Sequence, residues 1–195
     1  VYSRRVGAGA QLLNATKVSG RTKKGLGIGV FNAVENAEYQ TQVVEGETVQ
    51  EQIAPLTNKS IVVFDQNLRN NSSITLINTN VMRSGADLDA NVTGFLFNLK
   101  SKAQSYAMNG KVVMSNRIGT ESRERGYAMA LSASKTSGSF LWGSDFNLES
   151  DRYNPNDLGF LFSPNEVSHV LWINYNRYKP WWKLNNYWSS LWMYN

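Results

Sequence analysis

The stretch "GFLFNLKSKAQSYAMNGKVVMS" (94–115) decides the fold. Phe95, Phe97 and Leu99 fall on one face of an extended chain, and Gly94, Leu96, Asn98 and Lys100 on the other. After a short polar connection at 101–104, Tyr106, Met108, Val112 and Met114 align again, opposed by Asn109, Lys111 and Ser115. Side chains alternate between faces in a strand and return every three or four residues in a helix, so this is strand periodicity. Two such strands joined by a short polar link read as an antiparallel hairpin.

The pattern continues outward. In "GYAMALSASK" (126–135), Tyr127, Met129, Leu131 and Ala133 oppose Ala128, Ala130, Ser132 and Ser134. In "GSFLWGSDFNLE" (138–149), Phe140, Trp142, Phe146 and Leu148 oppose Leu141, Gly143, Asp145, Asn147 and Glu149. With less contrast it extends to 4–18 and 26–41, to 60–69 and 73–82, and to 166–178 and 181–194. That makes about ten strands, most of them reaching the roughly 9–11 residues that a tilted strand needs to cross a bilayer. Connections near 19–25, 70–72, 101–104, 136–138 and 179–180 read as short. Those near 43–59, 83–89, 116–125 and 150–165 read as longer and more polar. Short turns at one end and long loops at the other is the layout of an outer-membrane barrel.

Bulk composition narrows the class. The chain has 195 residues, 42% hydrophobic, with a net charge of +5. The cations are dispersed; the densest cluster, "GRTKKG" (20–25), is a turn, and nucleic acid is not an expected partner. There is no cysteine, which excludes a disulfide framework and thiolate metal sites. No apolar run is long enough for a membrane helix, but strands apolar on one face pass that test unnoticed.

The two faces then separate a barrel from a sandwich. The polar faces carry Gly, Ala, Ser, Asn and Thr more than Lys and Glu, whereas exposed soluble strands carry interspersed charges against edge pairing. Small polar side chains suit a lumen, and the Phe, Tyr, Trp, Met and Leu face suits lipid. The expectation is an all-β, antiparallel transmembrane β-barrel of about ten strands, part of a larger barrel. Phe95, Phe97, Leu99, Tyr106, Met108, Val112, Met114, Tyr127, Met129, Leu131, Phe140, Trp142, Phe146 and Leu148 are its expected lipid-facing residues. The alternative is a β-sandwich whose apolar faces meet inside.

Four ordered blocks carry a resemblance: "NATKVSGRTKKGLGIGVFNAV" (14–34), "VVFDQNLRNNSSITLINTNVMR" (62–83), "ADLDANVTGFLFNL" (86–99) and "ESDRYNPNDLGFLF" (149–162). They resemble the C-terminal β-barrel region of an uncharacterised outer-membrane protein family of the Bacteroidota. Its members usually carry an N-terminal module similar to family 9 carbohydrate-binding domains. The resemblance implies residence in the bacterial outer membrane, with lipid, other outer-membrane proteins and glycans as candidate partners. The carbohydrate-binding-like module does not occur in 1–195, so this stretch is expected to be one segment of a barrel domain.

Chemistry is sparse, and no cofactor is expected. His169 is the single histidine, without HExxH or an evident triad. "GLGIG" (25–29) does not complete a nucleotide loop. Asp145, Glu149 and Asp151 could supply the paired carboxylates of a glycan hydrolase, the alternative activity to a structural, transport or assembly role. Trp172, Trp181, Trp182, Trp188 and Trp192 suit interfacial anchors or a sugar-stacking surface. "DRYNPNDLGFLF" (151–162) lacks the Gly and Glu positions of an EF-hand loop. Tyr153, Pro155, Leu158, Phe160 and Phe162 are expected at a barrel rim, in its mouth, or against a partner chain.

Overall fold

The computed structural model describes residues 6–7, 10–44, 47–85, 88–119, 123–180 and 183–195. It contains twelve strands: β1 (Leu12–Arg21), β2 (Leu26–Glu35), β3 (Glu38–Val44), β4 (Glu47–Ala54), β5 (Thr57–Asn67), β6 (Ser73–Arg83), β7 (Asp89–Lys100), β8 (Tyr106–Ile118), β9 (Arg123–Lys135), β10 (Phe140–Glu149), β11 (Glu166–Arg177) and β12 (Tyr187–Tyr194). Ten form one antiparallel sheet in the order β1-β2-β5-β6-β7-β8-β9-β10-β11-β12. The fold is therefore an all-β antiparallel meander. The sheet is open: β1 and β12 are its two edges and do not pair with each other.

Several boundaries differ from the sequence reading. The first described strand begins at Leu12; of the strand expected at 4–18, residues 4, 5, 8 and 9 lie outside the described residues, and Val6–Gly7 form a turn. The expected strand 26–41 breaks after Glu35, and its end together with most of the expected loop at 43–59 forms the hairpin β3–β4, a separate two-stranded sheet. Strands β8 and β9 run further than their alternation showed, so only 119–122 connects them. Strand β12 starts at Tyr187, which lengthens the expected two-residue turn to 178–186. Two connections at the long-loop end are truly long, 36–56 and 150–165. The opposite end keeps tight turns; at 68–72, Asn70 and Asn71 take the positive φ that asparagine tolerates.

Register assigns the faces. Leu76, Phe95, Val112, Met129, Leu148 and Val167 are successive cross-strand partners from β6 to β11. Paired residues in an antiparallel sheet point to the same side, so this row and its alternate neighbours make one apolar face. No described strand lies over that face: apart from β7 against the single 3-10 turn at 69–71, the main contacts between elements join neighbours within a sheet. The other face holds nearly all the buried strand residues, among them Ala33, Lys59, Val81, Ala90, Ser115 and Ala128. They are buried because the 150–165 loop and Val6–Gly7 fold over that face at the long-loop end.

One ion pair anchors this packing. Lys59 Nζ lies 2.7 and 2.9 Å from the two Glu35 oxygens, and Glu35 also accepts the Gly7 N–H at 2.7 Å. Both side chains are at most one-tenth exposed. Removing one partner of a buried pair strands the other charge, at a cost of about 3–5 kcal/mol. Lys59→Met should therefore lower the denaturation midpoint strongly, and adding Glu35→Leu should recover most of the loss. Equal destabilisation by the single and double variants would show that the pair does not govern this region.

Candidate functional site

The 150–165 loop lies against the long-loop end of the grooved face, so called for the groove at that face's other end. Its entry depends on Gly126 of β9. A Cβ there would sit 2.2 Å from the Tyr153 backbone nitrogen, so only glycine lets the loop cross the strand. The Asn154 N–H then donates to Ser115 Oγ at 3.0 Å. Asp157 accepts from Arg83 Nη2 at 2.6 Å and faces Arg117 Nε at 3.7 Å. Leu158, 3% exposed, packs with Val81 and Ala90, flanked by Val6 and Ile61. Asn156 closes the loop on itself: its side chain accepts the Leu161 N–H at 2.7 Å and donates to the Leu161 carbonyl at 3.2 Å.

The loop residues named from the sequence part company here. Tyr153 and Leu158 are buried and Pro155 is half-buried, while Phe160 and Phe162 are 69% and 95% exposed. Burial, and then the Glu149 carboxylate, hold the Tyr153 phenol above the usual tyrosine range, so it stays neutral. Asn154 Oδ1 bonds local backbone, accepting the Asn156 N–H at 3.1 Å. Asp157 does not; it reaches arginines on β6 and β8. No short-range pattern could reveal that contact.

Beyond the loop, toward the tight turns, the same face holds a groove of about 560 Å³. It extends from β6 to β11, with Thr75, Asn98, Lys111, Ser132, Asp145 and Ser168 among its lining. An uncovered single sheet can hold such a groove only by curving toward that side. Beside it stand Trp172 and Trp192, stacked with centroids 6.0 Å apart. Trp181 and Trp182 lie outside the described residues.

The candidates for acid–base chemistry are not brought together. Asp145 and Glu149 share the grooved face, but four residues along a strand is about 13 Å, beyond the separations that glycoside hydrolysis uses. Both Asp145 oxygens are also engaged, by Ser132 and by Trp172. Asp151 is exposed beside Arg152. His169 Nε2 meets Ser144 Oγ at 2.9 Å, a pair the alternation could not reveal because the two residues are diagonal neighbours across β10 and β11. They lie on the apolar face, and no carboxylate orients the ring among the described residues. The pair satisfies two polar groups in apolar surroundings. No cluster of potential metal ligands occurs among the described residues.

All fourteen residues expected to face lipid, from Phe95 to Leu148, share the apolar face, and none is buried. At its long-loop end this face changes character. Asn78 donates to Asn91 and Thr93 at 3.2 and 2.8 Å, Asn91 donates to Asn80 at 3.3 Å, and Asn32 donates to Asn58 at 2.7 Å. The apolar rows give way there to a ladder of amides.

Comparison with protein families adds one finding. Residues 2–195 match the family described as Domain of unknown function (DUF5916). The chain belongs to that family. No curated protein and no solved structure matches it. The family assignment therefore carries no activity, and the geometry of the two faces carries the functional argument.

Charge-assisted hydrogen bonds contribute about 1.5–3 kcal/mol each, so Asp157→Ala should loosen the loop without unfolding the sheet. Hydrogen exchange should rise across 150–165 and stay unchanged in β7 to β9. Gly126→Val should displace the same segment by collision. Unchanged protection in both variants would contradict the docking described.

Proposed function

We propose that the chain forms part of the wall of a bacterial outer-membrane β-barrel, with lipid against the apolar face and an aqueous lumen against the grooved face. One observation carries this: the uncovered apolar face holds an unbroken apolar row from Ile28 on β2 through Phe64, Leu76, Phe95, Val112, Met129 and Leu148 to Val167 on β11. Exposed apolar patches on soluble monomers rarely exceed a few hundred Å², and a face rich in Phe, Met, Leu and Val from β2 to β11, uncovered among the described residues, suits lipid instead. From Tyr106 to Met114 the apolar band of β8 covers eight residue steps, about 27 Å along the strand. Tilted as barrel strands are, it rises about 20 Å, near the ~25 Å apolar band of such barrels.

The band's borders support the same reading. Tyr106, Phe140, Trp142 and Tyr175 gather near the tight turns, with Lys135 beside Phe140, which suits an aromatic girdle with a snorkelling cation. The amide ladder suits the headgroup level at the other border. Unpaired sheet edges in lipid cost several kcal/mol per backbone group, so β1 and β12 require partner strands in the membrane. The 150–165 loop narrows the lumen, and the role we assign is passage of small polar solutes past it. Exposed Phe160 and Phe162 at the loop end favour a second role, contact with another outer-membrane protein.

The protein should require detergent and show heat-modifiable mobility on gels. Met129→Arg, at mid-band, should cost about 2–4 kcal/mol of stability in bilayers. Stable monomeric behaviour in plain buffer, or an indifferent Met129→Arg, would defeat the membrane reading.

A further inference from the structure

Gly143 and Trp172 are cross-strand partners on the grooved face. A Cβ at Gly143 would lie 2.3 Å from the indole, so the Trp172 ring lies across β10 where only glycine leaves room. Its Nε1–H donates to Asp145 Oδ2 at 3.2 Å, and Ser132 Oγ donates to Asp145 Oδ1 at 2.5 Å. The ring is thus held from below by glycine and from the side by a fixed carboxylate. Trp192 stacks on it at 29° between planes, and Tyr194 stacks on Trp192 at 11° with centroids 6.2 Å apart. Trp192 remains 48% exposed. The result is a nearly parallel aromatic platform.

The register leads a polar row into that platform. Ser73, Asn98, Asn109, Ser132 and Asp145 are successive partners from β6 to β10, continued by Val170 and Tyr194. The first five line the groove. Four strand spacings give the row a length of about 19 Å. Its members are amides and hydroxyls, which both donate and accept, and a carboxylate whose oxygens already have partners. Lys111 is the one cation among the described residues lining the groove, which leaves too little positive charge for a phosphorylated or acidic ligand.

We propose that this row and platform form a binding site for a neutral oligosaccharide. A pyranose ring presents an apolar C–H face and an edge of hydroxyls. Trp172 and Trp192 match the first, and Asn98, Asn109 and Ser132 match the second. Few polar groups set beside apolar and aromatic surface is the usual make-up of a small-molecule site. The site deepens the lumen reading by naming what the lumen receives, while binding itself needs only the grooved face.

The test uses the full chain folded in detergent, with maltohexaose, cellohexaose and chitohexaose as probes, read by tryptophan emission and titration calorimetry. At least one probe should bind saturably. Trp192→Ala should weaken that binding tenfold or more, and so should the double variant Asn98→Ala, Asn109→Ala, which spares the platform. Ile173→Ala, on β11 but on the apolar face, should bind like the parent protein. No saturable response to any of the three probes, or undiminished binding by Trp192→Ala, overturns the site. A bilayer-inserted protein that ignores all three sugars contradicts the site and leaves the barrel reading standing. Binding by a chain that never inserts supports the site and defeats the barrel.

Discussion

From β5 to β12 the antiparallel ladder of the large sheet runs without a register shift, and everything else in the structure depends on that. Because side chains alternate, a slip of one residue would send every side chain of a strand to the opposite face. In β9 it would turn Met129 and Leu131 toward the groove and Ala128 and Ala130 toward the apolar side. The chemistry of the two faces therefore holds the register, and the register in turn assembles the groove row, the platform and the seat of the loop.

That dependence explains what was legible beforehand. Strands β7 to β10 were readable because their two faces differ in side-chain size and polarity, as in Met129-Ala130-Leu131-Ser132. The hairpin β3–β4 was not, because "EYQTQVV" and "ETVQEQIA" mix polar and apolar residues on both faces. The openness of the sheet was also hidden, since alternation within strands says nothing about which strands close on each other. The main contacts of the candidate site are long-range. Asp157 finds Arg83 and Arg117, and Trp172 finds Gly143, across spans no local pattern covers. Gly143 did leave one trace: a glycine between Trp142 and Ser144 inside a strand marks a place where another group comes close.

The grooved face is divided by function along the strands. Toward the long-loop end, the Glu35–Lys59 pair, the Asp157 clamp and Leu158 make it compact and largely dry. Toward the tight turns it opens into a groove in which a row of polar side chains is set among apolar surface, with aromatic rings beside it. On the barrel reading we propose, the grooved face would line a lumen narrowed at the long-loop end and able to hydrogen-bond at the other.

Because the chain contains no cysteine, single cysteines can report the two faces directly. The most direct measurement is a nitroxide scan along β8 and β9 of the protein in liposomes, comparing collisions with oxygen and with a water-soluble nickel reagent. Labels at 112, 114, 129 and 131 should meet oxygen and exclude nickel, while those at 109, 111, 130 and 132 should show the reverse, with a period of two. Equal access of the nickel reagent to both sets would contradict a lipid-facing sheet.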